Sequence, residues 1–301
     1  MKKKQIKIIR FLVVLFLLAL IIGCSSGGTK AAGSSTDDDT SDDDATDDDT
    51  NDDDTADDDT VDDDNVDDDT TPDDDTTPDD DTTEFSGVVL DATLETGIKD
   101  TNVNLLDDVT LQPFNPPIAT ITDNDGNFTV TIPRDLTIAT LKFTHADYFD
   151  TYFYHYNRLQ AGDADQFRLI MVQIWADAFD PLGVALDLSK TQVWGVVAWI
   201  TPDAPPAAIG CATVTVAPGS GQVFYADDSG LPTTERTSTN PVNGVFIVVN
   251  VEPGSYTLTG DVDGNTEEFM APDSFAGSLA SVEIQYPSST FPTNPTPAGC
   301  E

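Results

Sequence analysis

Few side chains in this 301-residue chain combine residue types and spacing that could do chemistry. His145 and Asp147 lie two apart on one side of an expected strand or its end, and the second histidine, His155, follows ten residues later. A zinc site needs three or four convergent ligands, and no second cluster supplies the remainder. There is no HExxH, no GxSxG nucleophile elbow and no glycine loop of the phosphate-binding type. Carboxylates are abundant, but acid–base catalysis needs two of them held in a pocket with separated pKa values, and nothing local pairs them. The expectation is a protein that is not an enzyme and carries no cofactor or metal. What remains is the chemistry of three cysteines, Cys24, Cys211 and Cys300.

Cys24 sits in a specific context. Lys2, Lys3, Lys4, Lys7 and Arg10 form a positive start, and Phe11 to Ile22 is an unbroken apolar run of 12 residues before Gly23-Cys24. This is the layout of a secretory signal, shorter than the ~20 residues of a permanent membrane span. Leu20-Ile21-Ile22-Gly23-Cys24 resembles the lipobox of bacterial lipoproteins. The resemblance implies removal of residues 1–23, lipidation of Cys24 and a membrane anchor in which each buried methylene contributes about 0.8 kcal/mol. Ser25, where an Asp would signal retention in the inner membrane, points to the outer membrane, facing the periplasm or the cell surface. With Cys24 committed, an even pair remains in an oxidising compartment, and a Cys211–Cys300 disulfide is expected. Two free thiols are the alternative.

Residues 24–84 read as a tether. Nine Asp triplets, starting at Asp37 and ending at Asp81, are separated by little but Thr, Pro, Ala, Val, Asn and Ser. Charge of one sign with almost no apolar side chains cannot offset the entropy of ordering, so disorder is expected. Coil scaling gives roughly 40 to 45 Å of reach for the 60 residues from Ser25, and full extension about 200 Å. Carboxylates attract calcium, but a tight loop wraps its ligands around one ion, usually with a bend-forming Gly, and the tract has none. Weak, diffuse association of divalent cations is the expectation, and glycosylation of its Thr residues stays open.

From Phe85 onward the chain holds 27 acidic and 7 basic residues, which disfavours nucleic acid and anionic surfaces as partners. Its length suits two domains. Short alternating runs at Val88–Leu90, Val103–Leu106, Ile118–Thr122, Phe128–Ile132, Ile138–Phe143 and Phe167–Val172 predict strands. A second set follows at Val193–Ile200, Ala212–Val216, Gln222–Tyr225, Val245–Val251, Ser255–Thr259 and Ser281–Gln285. Asp125-Gly126 and Asn243-Gly244 read as matching turns. The halves correspond in detail: Gly87-Val88-Val89 with Gly195-Val196-Val197, Gly126-Asn127-Phe128 with Gly244-Val245-Phe246, and Ile132-Pro133 with Val251-Glu252-Pro253.

These residues, with Asn102-Val103-Asn104-Leu105 and Thr122-Asp123-Asn124 before the first turn, resemble the carboxypeptidase regulatory-like domain. The resemblance implies an all-β chain of two tandem transthyretin-like (prealbumin-like) β-sandwiches at 85–173 and 191–290. A linker with a short helix before Pro181 spans 174–190, and a Pro-rich tail spans 291–301. It implies no particular function, because the module is an accessory in many exported proteins.

The most unusual local stretch is Tyr148 to Tyr156, in which alternation puts Tyr148, Tyr152, Tyr154 and Tyr156 on one face and Phe149, Phe153 and His155 on the other. One reading is an aromatic platform contacting a glycan or protein ligand; the other is a strand covered on both sides, with the tyrosines against the linker or second module. Trp194 and Trp199, five apart, face opposite sides of their strand. The whole reads as an exported, lipid-anchored protein presenting two sandwiches away from a membrane, for non-catalytic binding or an envelope-structural role. A carbohydrate-binding surface protein and an accessory part of an envelope enzyme system are the alternatives.

Overall fold

The computed structural model describes residues 81–160, 164–202 and 204–300. Seven strands form the first module: β1 (Thr82–Asp91), β2 (Asn102–Leu106), β3 (Pro113–Ile121), β4 (Asn127–Pro133), β5 (Ala139–Thr144), β6 (Asp150–Tyr156) and β7 (Asp165–Leu169). Helix α1 (Val172–Phe179) and a single tight turn through Leu182 lead into the second. That module contains β8 (Thr191–Thr201), β9 (Ala204–Ala208), β10 (Thr213–Ala217), β11 (Gln222–Ala226), β12 (Pro232–Thr233), β13 (Val245–Val251), β14 (Tyr256–Val262), β15 (Asn265–Ala271) and β16 (Ser278–Pro287). The fold is all-β, two sandwiches in tandem, with one short α-helix among the described residues. β1 starts three residues before Phe85, so Thr82, Thr83 and Glu84, read from sequence as tether, pair with Pro133, Ile132 and Thr131.

The repeat anticipated from sequence is physical. In the first module, sheet β4-β1-β7 packs on β3-β2-β5-β6, and alternate residues such as Phe85, Val89, Phe128, Ile132, Leu141, Phe143 and Phe167 fill the space between. In the second, β13-β8-β16 packs on β10-β14-β15 through Val197, Phe246, Leu258, Ile284 and Tyr286. Each fully buried side chain of this size stabilises the fold by roughly 1.5–3 kcal/mol. In both modules the first strand pairs antiparallel with the turn-following strand and parallel with the last one. The exception is β11, which joins the β13 sheet, whereas its counterpart β3 joins β2.

A shared web of hydrogen bonds ties the turn to the sandwich. Val89 N–H donates to Gly126 O at 2.8 Å and Val89 O accepts from Ile98 N–H at 2.9 Å; Val197 bonds Gly244 O at 2.9 Å and Ile209 N–H at 3.0 Å in the same way. The Thr122 hydroxyl donates to Ile98 O and accepts from Thr101 N–H, and the Thr239 hydroxyl does the same with Ile209 O and Ala212 N–H. Gly126 and Gly244 have φ of 81° and 64°, and a Cβ there would lie 2.3 Å from Val89 O and 2.5 Å from Val197 O. Only glycine combines this left-handed backbone with so close an approach.

The two modules are not independent. β6 of the first pairs in parallel with β16 of the second, from Asp150↔Ser278 to Phe153↔Ser281. One ten-stranded sheet therefore runs through both, and the two modules fall within one compact unit. Register places Ala280 beside Tyr152 and Ser281 beside Phe153. The β4-β1-β7 sheet and α1 consequently cover one face of the long sheet, and β10-β14-β15 covers the other. Trp175 and Phe179 of α1 pack with Phe224, Val245, Ile247 and Leu279, burying the outer face of the second module. Almost every residue of β13 is buried as a result.

Cys211 and Cys300 form a disulfide across 89 residues. It fastens the C-terminal segment, as do the Trp199 indole N–H, which donates to Phe291 O at 2.9 Å, and the Phe291 ring against Tyr286. Trp194 and Trp199, on opposite faces, are both half-buried because both faces are covered.

Replacing Gly126 or Gly244 by Ala is expected to cost about 2–4 kcal/mol each, lowering the melting midpoint by roughly 5–15 °C. Gly219→Ala, where a Cβ meets nothing within 4 Å, should leave it nearly unchanged. Cys300→Ser should cost roughly 2–5 kcal/mol in the same calorimetric experiment, and non-reducing peptide mapping should recover the 211–300 linkage from wild type.

Candidate functional site

The Tyr-rich stretch does not build a platform. Tyr152 and Tyr154 are 3% and 7% exposed and sit in the second module's core. Tyr152 stacks on Phe275 at 4.9 Å, and the Tyr154 hydroxyl donates to Asp273 O at 2.7 Å. Tyr148 and Tyr156 leave that face altogether and pack against the first module's core. The Tyr148 hydroxyl donates to Asp91 Oδ2 at 2.5 Å, and the Tyr156 hydroxyl donates to Asp165. Strict alternation fails because His155 adopts a left-handed φ of 54°, with a register shift in the β5–β6 ladder, so Tyr156 flips sides. The expected single face of four tyrosines is thus split: Tyr152 and Tyr154 form a seam with the second module, Tyr148 and Tyr156 pack on the first, and Tyr154 and Tyr156 also line a neighbouring cleft. Cys24 lies outside the described residues, as does nearly all of the acidic tract.

The concave site is where that seam opens. The β6–β16 ladder stops at Phe153↔Ser281, yet β6 continues to Tyr156 and β16 to Pro287. Beyond the last pair the strands part, leaving a cleft of about 650 Å³, within the size range of ligand sites. Its lining includes the outward row of β16, Ser281, Glu283 and Gln285, which lies beside Trp194, Val196 and Ala198 of β8 in register. The cleft is bounded further by β7 through Asp165 and Arg168, and by Glu267 and Glu268 of β15. One wall is thus polar and acidic, with an apolar stripe next to it.

The two arginines are engaged: Arg158 Nη2 lies 3.0 Å from Asp165 Oδ1 and Arg168 Nη2 lies 3.1 Å from Glu95 Oε2. Glu283 has a hydrogen bond from Gln285 and no cation beside it among the described residues; burial pushes its carboxyl pKa up, and the bond from Gln285 only partly opposes this. The sequence signal for this row was present in Ser281-Val282-Glu283-Ile284-Gln285-Tyr286, whose polar alternation opposite Val282, Ile284 and Tyr286 marks a second, wetter face.

His155 closes one side of the cleft. Its Nδ1 lies 2.5 Å from Asp108 Oδ2 and its Nε2 3.0 Å from Met270 O on β15. Asp108 Oδ1 also accepts from His155 N–H at 2.9 Å and from the Thr140 hydroxyl at 3.0 Å. Both ring nitrogens face acceptors, so the imidazolium is the form that satisfies them together. The hydrogen bond to Asp108 raises the His155 pKa above 6.5, against burial. For Asp108, burial pushes upward, but the hydrogen bond and charge of His155 prevail and leave it below 3.8. His145 is remote from this pair; its ring stacks edge-on to Tyr148 and its Nδ1 accepts from Asp147 N–H. Among the described residues no group of three or more His, Cys, Asp and Glu is placed to hold a metal ion, and no helix is long and apolar enough to cross a membrane.

No family model and no curated protein matches the sequence. Among solved structures, the Bacillus anthracis TIE protein is similar at 13% identity, over 69% of this chain and 34% of that one, with a TM-score of 0.22. This chain thus spans about a third of that protein. A mutant of the major pilin from Streptococcus pyogenes is similar at 9% identity, over 69% of this chain and 98% of that one, with a TM-score of 0.20. A streptococcal ancillary pilin gives 14% identity, 69% and 63% coverage, and a TM-score of 0.21.

Folding raises the His155 pKa, so that group's contribution to stability is complete below the unfolded value of 6.5 and is lost as pH rises through the folded one. Asp108 contributes above 3.8 and loses its contribution as pH falls through its lowered folded value. The melting midpoint of wild type should therefore fall as pH rises above about 6.5 through the raised folded value, and the fall should shrink in His155→Gln. Solvent screening of this half-exposed pair keeps the difference on the order of 1–2 °C.

Proposed function

We propose that this chain is an exported bacterial lipoprotein, anchored through Cys24 at the outer membrane, that presents two carboxypeptidase regulatory-like sandwiches for non-catalytic contact. Its role is to hold one rigid binding unit at a distance from the bilayer. The observation that carries this reading is the shared sheet: two modules joined by strand pairing and a buried seam do not reorient, and the concave surface between them keeps its shape. The position of β1 adds to it, because strand pairing begins within a few residues of the last Asp triplet and leaves the acidic tract free to act as a spacer. The disulfide, suited to an oxidising compartment, is a further support.

A glycan-binding role on a flat row of four tyrosines is disfavoured by the burial of Tyr152 and Tyr154, although Tyr154 and Tyr156 line the cleft. The cleft remains as the contact surface.

Fractionation tests the anchor: wild type should partition with membranes and Cys24→Ser should appear in the soluble exported fraction. Protease shaving of intact cells should release a fragment beginning near Thr82 if the unit faces outward. Retention of Cys24→Ser in the membrane would overturn the lipid anchor.

A further inference from the structure

Two observations about the cleft point the same way. The first is backbone. Strand β16 pairs with β8 along its length, from Leu279↔Gln192 to Pro287↔Ile200, but on its other side pairing with β6 ends at Ser281. The stretch from Val282 to Pro287 is a sheet edge turned toward the cleft, where an unpaired row of N–H and C=O groups accepts an added strand. The two outer strands of the long sheet are guarded: β3 carries Pro116 and Pro117, and β12 is two residues long.

The second is charge. Glu283 sits at the middle of that edge with only Gln285 as partner, half-buried beside the apolar row of Trp194, Val196 and Ala198. Glu267 and Glu268 line the same cleft. The arginines that could compensate them are already drawn to Asp165 and Glu95. A carboxylate held in a groove without a counter-charge is costly unless a cation arrives with the ligand.

We propose that the cleft binds an extended peptide segment of a partner protein, added along the open edge of β16, with a lysine ammonium placed on Glu283. The backbone edge supplies affinity and Glu283 supplies selectivity, since its carboxylate discriminates a lysine from an apolar side chain at that position. The proposal rests on the reading of the cleft as the contact surface. It is separable from the anchor, because a failed anchor leaves peptide affinity unchanged and a failed peptide site leaves fractionation unchanged.

The test uses the full chain and a fluorescent acetyl-Val-Thr-Lys-Val-Thr-amide peptide, alongside the same peptide with norleucine for lysine. The acidic tract attracts any cationic peptide diffusely, so the comparison is between wild type and Glu283→Gln, which carry the same tract. Binding should be roughly tenfold weaker for Glu283→Gln, and the norleucine peptide should lose a similar factor on wild type only. Peptide should also slow hydrogen exchange at residues 282–287. Equal affinity of the two proteins for the lysine peptide, or protection confined to other segments, would overturn the proposal. So would protection of the same amides by a neutral hexasaccharide but not by peptide, which would make the cleft a glycan site. Matched melting midpoints for the two proteins exclude a folding defect as the cause of weaker binding; if they differ, Glu283→Asp, which keeps a carboxylate at that position, should retain the preference for lysine over norleucine, and loss of that preference in Glu283→Asp would overturn the proposal.

Discussion

The fold depends on one close approach made twice. In each module a turn glycine in left-handed conformation lies against the carbonyl of the first strand's valine, Val89 or Val197, which also accepts a hydrogen bond from an isoleucine N–H. That geometry brings the turn over the strand and seats the following aromatic, Phe128 or Phe246, against Gly87 or Gly195. A Cβ on either of those glycines would fall within 3 Å of the ring. Backbone and core are thereby coupled, and a side chain at the turn would disturb both the ladder and the packing beneath it.

From this lock follows the joining of the modules. With each sandwich closed on itself, the first module presents β6 as an edge and the second presents β16. Pairing these edges removes two exposed ladders at once. It also buries Tyr152 and Tyr154, whose hydroxyl and ring contacts reach across to the second module. The pairing lasts four residues before the strands part, so the same junction that joins the modules also opens a wide cleft between them. His155 sits at that divergence, its left-handed backbone turning Tyr156 inward and its ring reaching from β6 to Asp108 and to Met270 on β15.

Much of this was legible beforehand. The two turn glycines, the paired Gly-Val-Val strands and the even cysteine pair carry signals that depend on local geometry or simple counting. Helix α1 was legible through Pro181, which ends it. Strands β9, β12 and β15 were not, because β9 is Ala-Pro-rich, β12 is two residues long and β15 carries the polar run Asn265-Thr266-Glu267-Glu268, so none shows an apolar period. The face assignment of Tyr156 failed for a different reason: alternation assumes an uninterrupted pleat, and a single left-handed residue resets it.

By itself, the amino-acid order determined the all-β class, the internal repeat, the candidate anchor and spacer, and the set of side chains able to do chemistry, because each of these rests on residue type or on spacing within a dozen residues. Tertiary structure alone decided which strand edges meet. A sheet edge is a generic row of donors and acceptors, and nothing in the run of residues around Phe153 names Ser281 as its neighbour. That choice turned an aromatic stretch into a seam and set half-buried Glu283 in a cleft that strand-by-strand reading does not contain.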